Sequence, residues 1–114
     1  MTASATIAPR PQPMLALERA NEVRLARAEL KRRVTRGEVT AAEVVLTCPW
    51  AAEGMAIADL LTSQRRWGRN RSRKFLATVP MSEVKTIGSM TMRQRHALAG
   101  MLEHANASAV AAAA

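Results

Sequence analysis

Residues 57 to 78, IADLLTSQRRWGRNRSRKFLAT, read as two short helices and the link between them. Ile57, Leu60 and Leu61 recur at helical spacing in the first half, and Phe75 and Leu76, followed by Val79, give the second half an apolar side. The link, Gln64 to Arg69, is longer than the roughly three to four residues of an ordinary helix-turn-helix and leaves room for two successive turns. Gly68 beside Trp67 marks a tight bend, expected to need a backbone conformation awkward for other residues or to let a phosphate approach closely. Asn70 fits as the cap of the following helix, which is predicted to run to about Thr78 and to stop at Pro80.

The same stretch holds most of the charge. Arg65 to Lys74 contains six cations and no acid, a charge of +6 in a chain whose net is +8. A bend feeding a helix start aims backbone N–H groups outward, and the helix dipole adds to their attraction for an anion. Arg65, Arg66 and Arg69 would flank a phosphate docked there. Arg73, four residues after Arg69, and Lys74, three after Arg71, would share the exposed side of the helix. Contacts of this kind position a protein on nucleic acid without reading its sequence. No alternation of Asn, Gln and Arg suggests a helix that reads base edges, so weak sequence preference is expected. Trp67, at the apex, has two open readings: a wedge against DNA, or a plug packed under the turn.

The remaining composition agrees with a small helical protein. One hundred and fourteen residues suggest one domain with a modest core. Only Trp50, Trp67 and Phe75 are aromatic, so that core must come from Leu, Val, Ile, Met and Ala. A pI near 11.5 argues for a polyanionic partner. The lone Cys48 can form no intramolecular disulfide and reads as a small apolar residue. Neither a membrane-spanning run nor a secretory leader is apparent, and the expected location is the cytoplasm, on the nucleoid.

Residues 1–13, with Pro9, Pro11 and Pro13, read as a disordered lead-in, 14–105 as a helical DNA-binding domain, and 106–114 as an Ala-rich tail. The longest helical pattern is Leu15 to Arg36, with a seam of Ala16, Ala20, Val23, Ala26, Leu30 and Val34 and a stop at Gly37. Arg24, Arg27 and Lys31 form a stripe beside that seam, while Arg32, Arg33 and Arg36 gather at the end where cations complement the dipole. Either this is a solvated face or it is a second surface for DNA. Thr40 and Glu43 have capping-box spacing at the head of a short helix ending near Thr47, and Pro49 interrupts it. Trp50 to Met55 reads as a further turn or short helix, Ser82 to Met90 as a loop. A last helix follows from Thr91 to about Ala105, with Gln94 at the box position and Met92, Leu98, Met101 and Leu102 as its apolar side. No strand, repeat or heptad pattern emerges. The expected fold is all-α, a small single domain of about five or six helices with a helix–two-turns–helix motif.

ANEVRLARAELKRRVTRGEVT (20–40), GMAIADLL (54–61), WGRNRSRK (67–74), VKTIGS (84–89) and RQRHAL (93–98) follow one another in an order that resembles the actinobacterial-type, or mycobacterial-type, integration host factor. The resemblance spans roughly Ala20 to Leu102. It implies a monomeric, nucleoid-associated helical protein that binds duplex DNA with little sequence preference, bends or loops it, and assists integrase-mediated recombination. The family's apolar-Gly-basic turn falls on Trp67, Gly68 and Arg69. Its basic loop before the last helix falls on Glu83, Val84 and Lys85, of which Lys85 alone is cationic. The basic residues of the family's first helix are matched by Arg24, Arg27, Lys31 and Arg32. The resemblance also brings an alternative, an RNA- or ribosome-associated module, because a ribosomal protein uses the same two-turn device.

Enzyme chemistry finds no support. His96 and His104 lie eight apart on one helix with no Cys, Asp or further His placed to complete a metal site or a triad. Neither cofactor nor metal is expected. A membrane-surface role is disfavoured because Ala lines the seam of the first helix where bulky apolar residues would be needed.

Overall fold

The structure, a computed structural model, describes residues 12–113, with side chains for 13–107. Most of the lead-in, residues 1–11, lies outside the described residues. Five α-helices form: α1 (Gln12–Thr35), α2 (Ala41–Thr47), α3 (Ile57–Ser63), α4 (Arg69–Thr78) and α5 (Met92–Ala113). Two 3-10 turns, Trp50–Ala52 and Ile87–Ser89, interrupt the connections, and no strand occurs among the described residues. The fold is all-α.

Local signals set most of these boundaries. α1 starts three residues earlier than its periodicity suggests, because a proline in a first turn forfeits only an N–H that has no helical partner. It ends at Thr35 and is closed off by Gly37, where φ is +80° and the N–H groups of Glu38 and Gly37 return to the carbonyls of Arg33 and Val34. At the head of α2, Thr40 Oγ1 accepts from the Glu43 N–H at 3.0 Å. The second half of that box differs from expectation, since the Thr40 hydroxyl itself donates to the Glu43 carboxylate. α5 has the complete reciprocal box: Thr91 N–H donates to Gln94 Oε1 at 2.9 Å and Gln94 N–H to Thr91 Oγ1 at 3.1 Å. Cys48 is half-buried and closes α2 in a left-handed conformation, φ 43°.

The core is aliphatic. Val44 and Val45 of α2, Ile57, Leu60 and Leu61 of α3, Leu76 of α4 and Leu98 and Leu102 of α5 are buried with Met55 and Ile87. α2 lies along α5, and α3 packs on both α4 and α1. The anticipated α1 seam is buried only at its C-terminal end, at Leu30 and Val34, whereas Ala16 and Ala20 are exposed. Similarly, Met92 and Met101 of the expected α5 apolar side face outward. α5 continues through the Ala-rich segment to Ala113.

A backbone strap positions α3. Ala56 and Thr86 form an isolated antiparallel bridge, flanked by bonds from Ile57 N–H to Lys85 O and from Ala58 N–H to Glu83 O. Further along, Ile87 N–H donates to Met55 O and Gly88 N–H to Glu53 O. The carbonyls of the 83–85 loop thus satisfy the first amides of α3, whose N-terminus lacks a side-chain cap. The two segments approach so closely at Gly88 that a Cβ there would lie 2.7 Å from the Glu53 carbonyl oxygen. Gly88→Ala should therefore destabilise the protein by roughly 1–3 kcal/mol through forced backbone separation, read as a lower urea midpoint. An unchanged midpoint would mean that the strap gives way freely.

Candidate nucleic-acid interface

The candidate interface centres on the link between α3 and α4, which spans Gln64 to Gly68. α3 closes with Gln64 N–H on Leu61 O, and a turn follows in which Trp67 N–H donates to Gln64 O. The left-handed position in this turn is Arg66, φ 67°, and not Gly68, whose φ of −87° and ψ of −178° are ordinary extended backbone. The special freedom expected of Gly68 is unused. Open space surrounds the position its Cβ would occupy. The bend is completed two residues earlier, so the chain is already extended when it reaches the glycine.

α4 begins at Arg69, which moves Asn70 from the expected cap into the first turn. Gly68 precedes the helix and provides no side-chain cap; only its carbonyl is engaged, accepting from the Ser72 N–H and the buried Ser72 hydroxyl. The amides of Arg69, Asn70 and Arg71 consequently remain unpaired among the described residues, at the positive end of the helix dipole. Arg65, Arg66, Arg69 and Lys74 are exposed, and none makes an ion pair among the described residues.

Trp67 is packed. It is 4% exposed, donates from Nε1 to Asn106 Oδ1 at 3.0 Å, and meets Phe75 edge-on with ring centroids 5.4 Å apart. The Arg71 guanidinium covers its face, 4.1 Å from the ring centroid. The wedge reading fails for a simple reason: an indole covered by a guanidinium and a phenyl ring has no face to offer a base.

Other expected contacts prove to be differently employed. Arg27 is partly buried and donates from Nε to Ala51 O at 3.1 Å, pinning α1 to the 3-10 turn. Arg32 is engaged by Glu29 at 2.9 Å, and Glu38 takes Arg33 and Arg36. The basic end of α1 is thereby largely neutralised. Arg24, hydrogen-bonded to Asn21, and Lys31 border a pocket of about 510 Å³ that is also lined by Asp59. Thr35 donates to Ser63 O, so α1 runs beside α3 in the same direction. Lys85 sits at the N-terminal end of α3, opposite the turn, through the strap. Glu83 is 3.4 Å from Arg73 and offsets its charge.

Asn106 was not legible as part of this site from composition, although it follows Leu98 and Leu102 at four-residue steps and so shares their inward face. Its Nδ2 donates to Gln64 Oε1 at 3.1 Å, joining α5 to the start of the turn. Among the described residues, no group of three or more His, Cys, Asp or Glu side chains could hold a metal ion. No described helix is long and apolar enough to cross a membrane.

No protein-family model matches this chain, and no curated protein matches it either. Among solved structures, it is similar to sIHF bound to an 8 bp palindromic DNA, with a TM-score of 0.67 and 23% identity over 75% of this chain and 98% of that one. The chain has an sIHF-like fold. The likeness covers nearly the whole of sIHF.

Two measurements follow from this geometry. Asn106→Ala removes the acceptor of the Trp67 N–H and should cost about 1–3 kcal/mol, read by urea denaturation. In a Trp50→Phe background the same change should shift Trp67 emission to the red, and an unshifted spectrum would contradict the bond. The Glu29 carboxyl, meanwhile, is held below its usual range by hydrogen bonding from Arg32, aided by Arg32 and Arg36 charge. A depressed folded-state value stabilises at neutral pH and loses that contribution as pH falls through it. The stability difference between the parent protein and Glu29→Gln should accordingly shrink on acidification, and one that grew would have the wrong sign.

Proposed function

We propose that this protein is a largely sequence-nonspecific duplex-DNA-binding and DNA-bending protein of the actinobacterial integration-host-factor type. It acts as a nucleoid-associated monomer without enzymatic activity and supports integrase-mediated recombination. The observation that carries this reading is the uncapped start of α4 beneath Arg65, Arg66 and Arg69. Three free amides and unpaired guanidinium groups together make a seat for a backbone phosphate. The device is the family's helix–two-turns–helix motif, with residues 14–105 as its binding domain, extended at least to Asn106 by the bond to Trp67.

Arg69, Asn70, Arg73 and Lys74 extend the contact along α4, and Gly68 keeps the approach free of a side chain. Arg71 acts through Trp67, stiffening the turn while lending its charge. Arg24, Lys31 and Lys85 border the other end of α3, about 10 Å away by helical rise. Duplex DNA touching both ends would curve toward the protein, at a deformation cost of about 1–6 kcal/mol offset by the added contacts. Arg27, whose side chain is engaged by a neutral carbonyl, adds long-range field rather than a direct contact, and Arg32 is largely offset by Glu29.

If about six to eight phosphates are neutralised, log K should fall against log salt with a slope of roughly −5 to −7. Arg69→Gln should weaken binding evenly across unrelated duplexes and reduce that slope by about one. Loss confined to one sequence would contradict the proposal. Preference for structured RNA over duplex DNA in a competition gel shift would replace it with the ribosomal type of partner.

A further inference from the structure

A cleft of about 460 Å³ opens between the end of α1, the start of α2, the Gln64–Trp67 turn and Asn106 of α5. Its volume falls within the roughly 300–1,000 Å³ of small-molecule sites. The inner wall is apolar, with Val34, Ala41 and Trp67 buried and Val39 half-buried. The outer wall is cationic, formed by Arg65 and Arg66, with Arg71 stacked at the inner edge. No acidic residue lines it. Arg66 holds its left-handed conformation at this mouth.

The polar groups inside narrow the choice of occupant. Asn106 spends its oxygen on Trp67 and one N–H on Gln64, and Gln64 spends one N–H on Leu61 O. Each side-chain amide therefore keeps one N–H without a partner among the described residues. A fatty anion would satisfy the arginines and leave those donors facing hydrocarbon. A nucleobase offers a flat apolar face and carbonyl or ring-nitrogen acceptors on its edge, and its phosphate meets the guanidinium groups.

We propose that this cleft is a nucleotide site, in which the base seats against Val39 and Val34, its edge accepts from Gln64 and Asn106, and its phosphate is held by Arg65, Arg66 and Arg71. The proposal goes beyond duplex binding: it shares Arg65 and Arg66 with that reading but rests on the cleft and not on the start of α4. The nucleotide comes either free from solution or unpaired from a nucleic-acid strand. In both cases it draws on Arg65 and Arg66, so occupancy and duplex binding at the turn compete.

The test uses the full chain in a Trp50→Phe background, which leaves Trp67 as the fluorescent reporter. Guanosine 5′-monophosphate should perturb Trp67 emission saturably and bind at least about tenfold more tightly than guanosine or inorganic phosphate alone, since each supplies only part of the contact. Val39→Phe, which fills the cleft without altering charge, should remove that binding while duplex affinity stays within about twofold. Asn106→Asp, which puts a carboxylate against the base edge, should weaken it in the same direction if Val39→Phe fails to fold. A blunt duplex compared with one bearing a single unpaired nucleotide separates the sources. Tighter binding of the latter, erased by Val39→Phe, identifies the strand; monophosphate binding alone identifies the free nucleotide. Monophosphate binding no tighter than phosphate, together with no gain from the unpaired nucleotide, overturns the proposal.

Discussion

The clamp on Trp67 is the interaction on which the rest of the α3–α4 turn depends. Five residues between two helices would ordinarily be among the least constrained parts of a small protein. Here the indole is fixed on three sides: by an edge-on phenyl ring from α4, by the Asn106 amide from α5, and by the Arg71 guanidinium over its face. Each partner comes from α4 or α5, elements that are themselves anchored in the aliphatic core through Leu76, Leu98 and Leu102. The backbone of the turn inherits that rigidity, and with it the positions of the arginines on either side. This matters energetically because an arginine anchored to a fixed backbone loses less freedom on meeting a phosphate than one on a floppy loop.

Charge is arranged by the same logic. The chain carries seventeen cations, yet those at the end of α1 are tied to Glu29 and Glu38, and Arg73 is matched by Glu83. Such exposed pairs contribute little to stability. Their consequence is spatial: they mute the field at the end of α1, partly offset Arg73, and leave Arg65, Arg66, Arg69 and Lys74 without an ion pair among the described residues. A net charge of +8 would otherwise be spread evenly around a helical surface, with weak direction for an incoming polyanion.

Sequence reading recovered what local chemistry governs. The caps at Thr40 and Thr91, the stop at Gly37, the bounds of α3 and the all-helical class depend on residues within a turn or so of each other, and their signatures are short. What escaped it depends on distance. The strap joining residues 53–58 to 83–88 is made of backbone groups, which carry no side-chain signature. Gly88 consequently read as one more loop glycine. Counting charges on α1 could not reveal that Arg27 reaches a carbonyl twenty-four residues away. Arg66 took the left-handed position that Gly68 seemed designed for, because the turn closes on Trp67, and the packing of that ring decides where the bend must fall.

That last displacement has a cost and an explanation. A left-handed residue with a side chain is disfavoured by roughly 1–2 kcal/mol relative to the right-handed region. Glycine at position 66 would relieve it, at the loss of one exposed guanidinium group from the turn. Moving the bend onto Gly68 instead would rotate Trp67 away from Phe75 and Asn106 and break the clamp. The strain at Arg66 is thus the local expense of closing the turn so that the next residue, Trp67, reaches both Phe75 and Asn106.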